Sequence, residues 1–230
     1  MAQRSSPRPP RSAGGRPAGS PTLRLERSLL RSGVTRLGAV DEVGRGSPAG
    51  PVFVGVVVLG TDAGRPPAGV RDSKLLTSGA RERLVPMIES WAAACAVGRA
   101  GPDEIDALGL TAALRLAAVR ALGQLDEPPE LVVLDGNHDW LSHEDGPGNG
   151  IGRPVVHTRI KADLTCTSVA AASILAKVAR DAVMVGLAAE YPGYGWEANK
   201  GYATEAHFAA IRRLGTTPHH RHSWRLPAAI

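Results

Sequence analysis

Residues 41–51 read Asp41-Glu42-Val43-Gly44-Arg45-Gly46-Ser47-Pro48-Ala49-Gly50-Pro51, and they run directly into an apolar segment ending at Leu59. No feature of the chain restricts its fold more. Two adjacent carboxylates close the apolar segment Leu37–Glu42, where burying them is costly unless a cation sits with them. A glycine-flanked arginine follows at once. Val52, Phe53, Val54, Val56, Val57, Val58 and Leu59 are β-branched, aromatic or apolar, so Pro51–Leu59 reads as a strand. The glycine stretch therefore joins strand to strand. A phosphate cradle of the dinucleotide or P-loop type runs from strand into helix, so a nucleotide-binding module is disfavoured.

Further along, Leu84, Met87, Ile88 and Trp91 recur at helical spacing and predict a helix over 79–94, with Pro86 inside it as a candidate kink. A second helix is predicted over 102–123, short strands at Leu131–Leu134 and Val155–Ile160, and a further strand at Ala94–Ala100. Thr165–Ala189 reads as a helix whose small residues would let it approach a sheet closely, and 203–214 as a final helix. Residues 137–153 hold four glycines and no apolar period, which predicts a long loop in which His138 and His143 are solvated. This order of elements predicts an α/β protein with a mixed sheet.

Aromatics are only 4% of residues, so Val, Leu, Ile and Ala must build the core. The net charge is +5, but Arg4, Arg8, Arg11 and Arg16 all precede the first acid, Glu26. Without residues 1–23 the net charge falls to +1, so nucleic-acid affinity must come from local patches. No apolar run reaches membrane-spanning length. Cys95 and Cys166 are far apart and read as reduced thiols of a cytosolic protein.

The acids at strand ends or helix starts are Asp41, Glu42, Asp135 and Asp163. Singly, Asp135-Gly136 also reads as a turn and Asp163 as a helix cap. Taken together, carboxylates with no nearby His or Cys favour a hard metal, Mg²⁺ or Mn²⁺, over zinc, and such sites serve phosphoryl transfer. Ser73-Lys74 is a candidate phosphate contact or an ordinary polar turn. Tyr202 is a candidate stacking ring or a core tyrosine. His219, His220 and His222 lack zinc spacing; the tail around them either meets a phosphate backbone or packs on the core.

These motifs, in this order, resemble the ribonuclease HII (type 2 ribonuclease H) family. The resemblance rests on Asp41–Gly46 with Ala49–Val52, Asp72–Leu75, Leu134–Gly136 and Lys161–Asp163. It continues through Ala170–Val178 with Arg180-Asp181, Gly201–His207 and His220–Trp224, and spans about residues 35–226. It implies an RNase H-like fold: a mixed five-stranded sheet flanked by helices, with a C-terminal helical part. It implies a catalytic domain at 31–230, with 190–230 as the helical part and tail, behind a disordered basic extension at 1–30. The implied activity is endonucleolytic: cutting the RNA strand of RNA–DNA hybrids and incising duplex DNA 5′ of embedded ribonucleotides, leaving 3′-hydroxyl and 5′-phosphate ends. Mg²⁺ or Mn²⁺ would be held by Asp41, Glu42, Asp135 and Asp163. Gly44, Arg45 and Gly46 match a loop that reads the ribose 2′-hydroxyl through its backbone. Tyr202 matches a tyrosine that packs on the sugar, and Ser73 and Lys74 match phosphate contacts. The reduced thiols place the expected protein in the cytoplasm, and a monomer is the default expectation. A non-catalytic hybrid-binding protein on the same fold is the alternative, disfavoured because all four carboxylates are present. The chain departs from the family in its long 138–153 loop, in Trp224 where many relatives have Phe, and in its first 23 residues.

Overall fold

A computed structural model describes residues 20–142 and 154–229 of the chain. Its elements are α1 (Arg24–Arg31), β1 (Arg36–Val43), β2 (Val52–Gly60), α2 (Ser78–Trp91), β3 (Ala94–Ala100), α3 (Pro102–Leu108), α4 (Leu110–Leu122), β4 (Leu131–Asp135), β5 (Val155–Arg159), α5 (Ala162–Thr165), α6 (Thr167–Glu190), α7 (Trp196–Asn199) and α8 (Glu205–Leu214). A 3₁₀ turn at Ser73–Leu75 precedes α2.

The five strands form one mixed sheet in the order β3-β2-β1-β4-β5. β2 pairs antiparallel with β1 and with β3, whereas β4 is parallel to β1 and β5 parallel to β4. Side chains alternate across a strand, so each face of the sheet has its own core. On one face Val40, Val54, Val56, Val132 and Leu134 pack against α3 and α4. On the other, Leu37, Ala39 and Val133 meet Cys166 and Val169, and Val57 and Leu59 meet Ala170–Ala172 and Ile174 of α6. The small residues of α6 do allow the close approach read from the sequence. A Cβ on Gly55 of β2 would lie 2.3 Å from the Ala172 carbonyl oxygen, so α6 rests on bare backbone there. Gly55 pairs with Asp41 across β1 and β2, so the helix crosses beside the first carboxylate.

Four expectations need correction. The helix read over 102–123 is two helices, broken at Gly109, whose φ of +79° suits glycine. The helix read over Thr165–Ala189 starts at Thr167 as α6, and Cys166 separates it from the four-residue α5, which was not read. The segment expected to be a polar loop buries Trp140 and Leu141 in the α3–α4 core; its remainder from His143 to residue 153 lies outside the described residues. Residues 24–30, expected to belong to a disordered extension over 1–30, lie in α1, with Leu23 and Glu26 buried at its start; residues 1–19 lie outside the described residues. Among the described residues no helix is long and apolar enough to cross a membrane.

Candidate active site

The sheet register brings the acids together. Val40 pairs with Leu134 on the parallel strands β1 and β4, so the next residue on each is Asp41 and Asp135. Both share the face covered by α6, while Glu42 takes the opposite face with Val40. The turn after β5 then leads into α5, which carries Asp163. The acids thus gather beyond the carboxyl ends of parallel strands, where open α/β sheets bind their ligands.

Asp41 is 4% exposed, and its Oδ1 accepts a hydrogen bond from the Glu42 N–H at 2.9 Å. Burial, then the charges of Glu42 and Asp135, push its carboxyl well above the ordinary carboxylate range. Burial also raises Glu42, although Arg45 Nη1 lies 3.2 Å from its Oε1 and opposes the shift. Asp135 is raised by burial and by Asp163, and its Oδ1 accepts from the Ala162 N–H at 2.6 Å. Lys74 Nζ lies 3.3 Å from Asp163 Oδ2 and 3.6 Å from Asp72 Oδ1. Burial opposes the charged form of Lys74, but Asp72, Asp41 and Asp163 outweigh it and hold the ammonium above its usual range. Negative charge is crowded here and only partly offset.

Among the described residues no three His, Cys, Asp or Glu side chains converge closely enough to ligate one ion as they stand. The chemistry of the donors still fits a hard divalent cation. All four candidates are carboxylates, and Glu42 Oε2 is buried with no hydrogen-bond partner. A cation would relieve both that orphaned oxygen and the repulsion that raises Asp41.

The glycine loop is held from behind by two fully buried arginines. Arg221 donates to the carbonyl oxygens of Gly44 (2.7 Å), Arg45 (3.0 Å) and Gly50 (3.1 and 3.2 Å). Arg180 donates to Pro51 O (3.0 Å), Ala49 O (3.1 Å), Ser47 Oγ (2.8 Å) and Lys200 O (3.0 Å). With its carbonyls taken on the inner side, the loop leaves Arg45 and Gly46 exposed. Gly44 has φ +89°, and a Cβ there would lie 2.2 Å from Arg180 Nε.

Tyr202 is half-buried beside this loop. The Arg180 guanidinium carbon lies 5.0 Å from its ring centroid and Lys177 Nζ 5.3 Å, both within cation–π range. The two members of the Ser73–Lys74 pair part company. Ser73 is 2% exposed, with its N–H donating to Ser173 Oγ at 3.1 Å, whereas Lys74 is exposed beside Asp163.

The tail packs on the core. His207 Nδ1–H donates to Tyr202 O (3.0 Å), and its Nε2 accepts from Trp196 Nε1–H (3.0 Å) and faces His220 Nε2 (3.2 Å). His220 Nδ1 accepts from the Thr217 N–H at 2.9 Å. With both rings neutral, the single lone pair of His207 Nε2 is shared between the Trp196 and His220 donors. Burial lowers both, and the neighbouring His207 helps bring His220 to about 4. Sequence reasoning assigned no role to Arg180 or Arg221. A signal existed for Arg180: it interrupts the buried Ala172–Ala176–Met184 stripe of α6 at four-residue spacing. Arg221 had none, because nothing local to a basic tail residue says whether it meets a phosphate backbone or packs on the core.

A family model described as ribonuclease HII matches residues 37–226. A ribonuclease HII of Streptomyces coelicolor is 48% identical over 206 residues, covering 89% of this chain and 83% of that protein. One from Paracoccus denitrificans is 47% identical over 208 residues, covering 89% and 91%. Among solved structures, the ribonuclease H2 of Pyrococcus horikoshii OT3 matches with a TM-score of 0.67 at 28% identity, covering 82% of this chain and 93% of that one. The RNase HII of Archaeoglobus fulgidus, solved in complex with PCNA, also has a TM-score of 0.67, at 27% identity and covering 84% and 97%.

Proposed function

The chain belongs to the ribonuclease HII family, and on that premise we propose that Asp41, Glu42, Asp135 and Asp163 form its catalytic centre. It is an endoribonuclease that hydrolyses the RNA strand of RNA–DNA hybrids, and it depends on divalent metal ions. What supports the site assignment is that β1, β4 and α5 bring these four carboxylates to the same end of the sheet, beside a glycine loop pinned by two buried arginines.

Mg²⁺ or Mn²⁺ suits the all-oxygen donor set. When bound, such an ion supplies an activated water and stabilises the leaving 3′-oxygen. The protein's own groups do the rest. The orphaned Oε2 of Glu42 and the crowded carboxylate of Asp41 take up positive charge. Gly44, Arg45 and Gly46 read the ribose. Only the 2′-hydroxyl separates RNA from DNA locally, and backbone groups can test for it only if no side chain keeps the sugar away. A Cβ on Gly46 would meet no protein atom within 4 Å, so that space is open to a ligand. Tyr202, braced by Arg180 and Lys177, packs on the adjoining sugar. Lys74 meets the phosphate, and Ser73 anchors the turn that presents it. A site that tests one ribose at a time also suits incision of duplex DNA 5′ of a single embedded ribonucleotide, leaving 3′-hydroxyl and 5′-phosphate ends.

Asp135→Asn keeps an oxygen acceptor for the Ala162 N–H and removes a metal-binding charge. With an unchanged circular dichroism spectrum, it is expected to lose cleavage of an RNA–DNA hybrid in both Mg²⁺ and Mn²⁺. Wild-type turnover by this variant in either ion would overturn the assignment.

A further inference from the structure

Cys166 precedes the 24-residue helix α6 but gives its N-terminus no side-chain cap. The first N–H groups of a helix need acceptors from elsewhere, and a thiol is a weak one. Here the acceptor comes from a distant part of the sequence. Glu26 of α1 is 0% exposed, and its Oε1 accepts from the Ser168 N–H at 3.0 Å and from Ser168 Oγ–H at 2.9 Å. Its charge also faces the positive end of the α6 dipole. Thr22 grips the same place: its N–H donates to Thr165 O at 3.0 Å and its carbonyl accepts from the Thr167 N–H at 3.3 Å.

These contacts clamp α5, the four-residue turn that carries Asp163. So short a helix cannot hold its own orientation. At its start the Ala162 N–H is bonded to Asp135 Oδ1. At its end Thr22 and Glu26 fix Thr165, Thr167 and Ser168, and Arg159 Nε adds a bond to Thr165 Oγ1 at 3.1 Å. Asp163 lies between the two clamps.

We propose that Glu26 is a positioning residue for the metal site, which by capping α6 at Ser168 holds Asp163 in place relative to Asp41 and Asp135. The proposal rests on Asp163 being a metal ligand. Glu26 acts through Ser168, as outer partners orient the ligands of metal sites.

The test is calorimetric titration of Mn²⁺ into the free protein, alongside hybrid cleavage kinetics at saturating Mn²⁺. Glu26→Ala is expected to weaken Mn²⁺ binding about tenfold or more, with the KM for hybrid unchanged. Glu26→Gln retains an Oε1 acceptor for both Ser168 donors and is expected to bind within about twofold of wild type. Ser168→Ala, which loses one of the two bonds, falls between them and carries the comparison should Glu26→Ala fail to fold. Wild-type Mn²⁺ affinity in a folded Glu26→Ala, or in Ser168→Ala if that variant stands in for it, would reduce Glu26 to a structural cap and overturn the proposal. So would a Glu26→Gln protein as weak as Glu26→Ala. If wild type itself neither binds Mn²⁺ nor cleaves, the assignment of the carboxylates fails instead.

Discussion

Gly44 and Gly46 lie two residues apart and answer to different constraints. Gly44 is required by the protein: its φ is +89° and a Cβ would strike Arg180. Gly46 has open space around it, so nothing in the protein requires a glycine there, and on the proposed reading the substrate does. Gly46→Ala is therefore expected to leave stability within about 0.5 kcal/mol of wild type while cutting ribonucleotide cleavage at least about tenfold, whereas Gly44→Ala loses both. Thermal melts beside cleavage rates check this; a Gly46→Ala enzyme of full activity would contradict it. Asp41 shows the other side of a proposed metal ligand. A carboxyl whose pKa is raised on folding binds protons more tightly in the folded state than in the unfolded one. Its contribution to stability is full below the ordinary carboxylate value and is lost as pH rises through the raised value. Metal-free Asp41→Asn is thus expected to melt above wild type at neutral pH, by about 2–4 °C for each kcal/mol relieved, with the gap widening from pH 4 to 8. An unchanged gap across that range would contradict the burial of Asp41's charge.

The elements differ in how far they could be read from sequence. β2 was legible because β-branched and apolar residues dominate it between turn residues, and β3 was read at Ala94–Ala100 although Gly98 and Arg99 interrupt its apolar residues. The α3–α4 division was not, because Gly109 falls inside an otherwise continuous helical pattern, and α5 was not, because four residues are too few to show a period. α1 was hidden by its own charges. Arg24, Arg27 and Arg31 continue the basic composition of residues 1–23, and the partner that buries Glu26 lies 142 positions away. The C-terminal helices were half legible: α8 was read, but the pairing of His207 with His220 needed the fold. That pairing has a pH consequence. His220 titrates at about 4 when folded, so the stability its neutral ring contributes is complete above about 6.5, the ordinary histidine value, and is lost as pH falls toward 4. NMR titration is expected to show the His220 ring still neutral at pH 5. A midpoint near 6.5 would mean that the latch positioning Arg221 on the glycine loop is not closed.

At the scale of the whole molecule, the chemistry was more legible than the framework that orients it. The four carboxylates and the Gly44–Gly46 loop stood out because charge at strand ends and clustered glycines are locally unusual. Arg180, Arg221 and Glu26 did not, because each acts on residues more than 100 positions away in the chain. The resulting charge layout is polarised. Asp41, Glu42, Asp135 and Asp163 lie on one side of the glycine loop. Arg180 and Arg221 lie behind it, bonded to carbonyls and a hydroxyl rather than to acids. On the proposed reading, a nucleic acid crossing the loop meets the carboxylates that would hold metal ions, while the two buried arginines hold the loop's shape from beneath. The central claim is that this arrangement tests for a ribose and then cuts beside it. Its most direct measurement compares two DNA duplexes in Mg²⁺ and in Mn²⁺, identical except that one position carries a ribose in one duplex and a deoxyribose in the other. The expected result is a single nick 5′ of the ribonucleotide, with 3′-hydroxyl and 5′-phosphate ends, and an intact all-DNA duplex. Equal cutting of both duplexes, or an intact ribonucleotide duplex with folded protein in both ions, would contradict it.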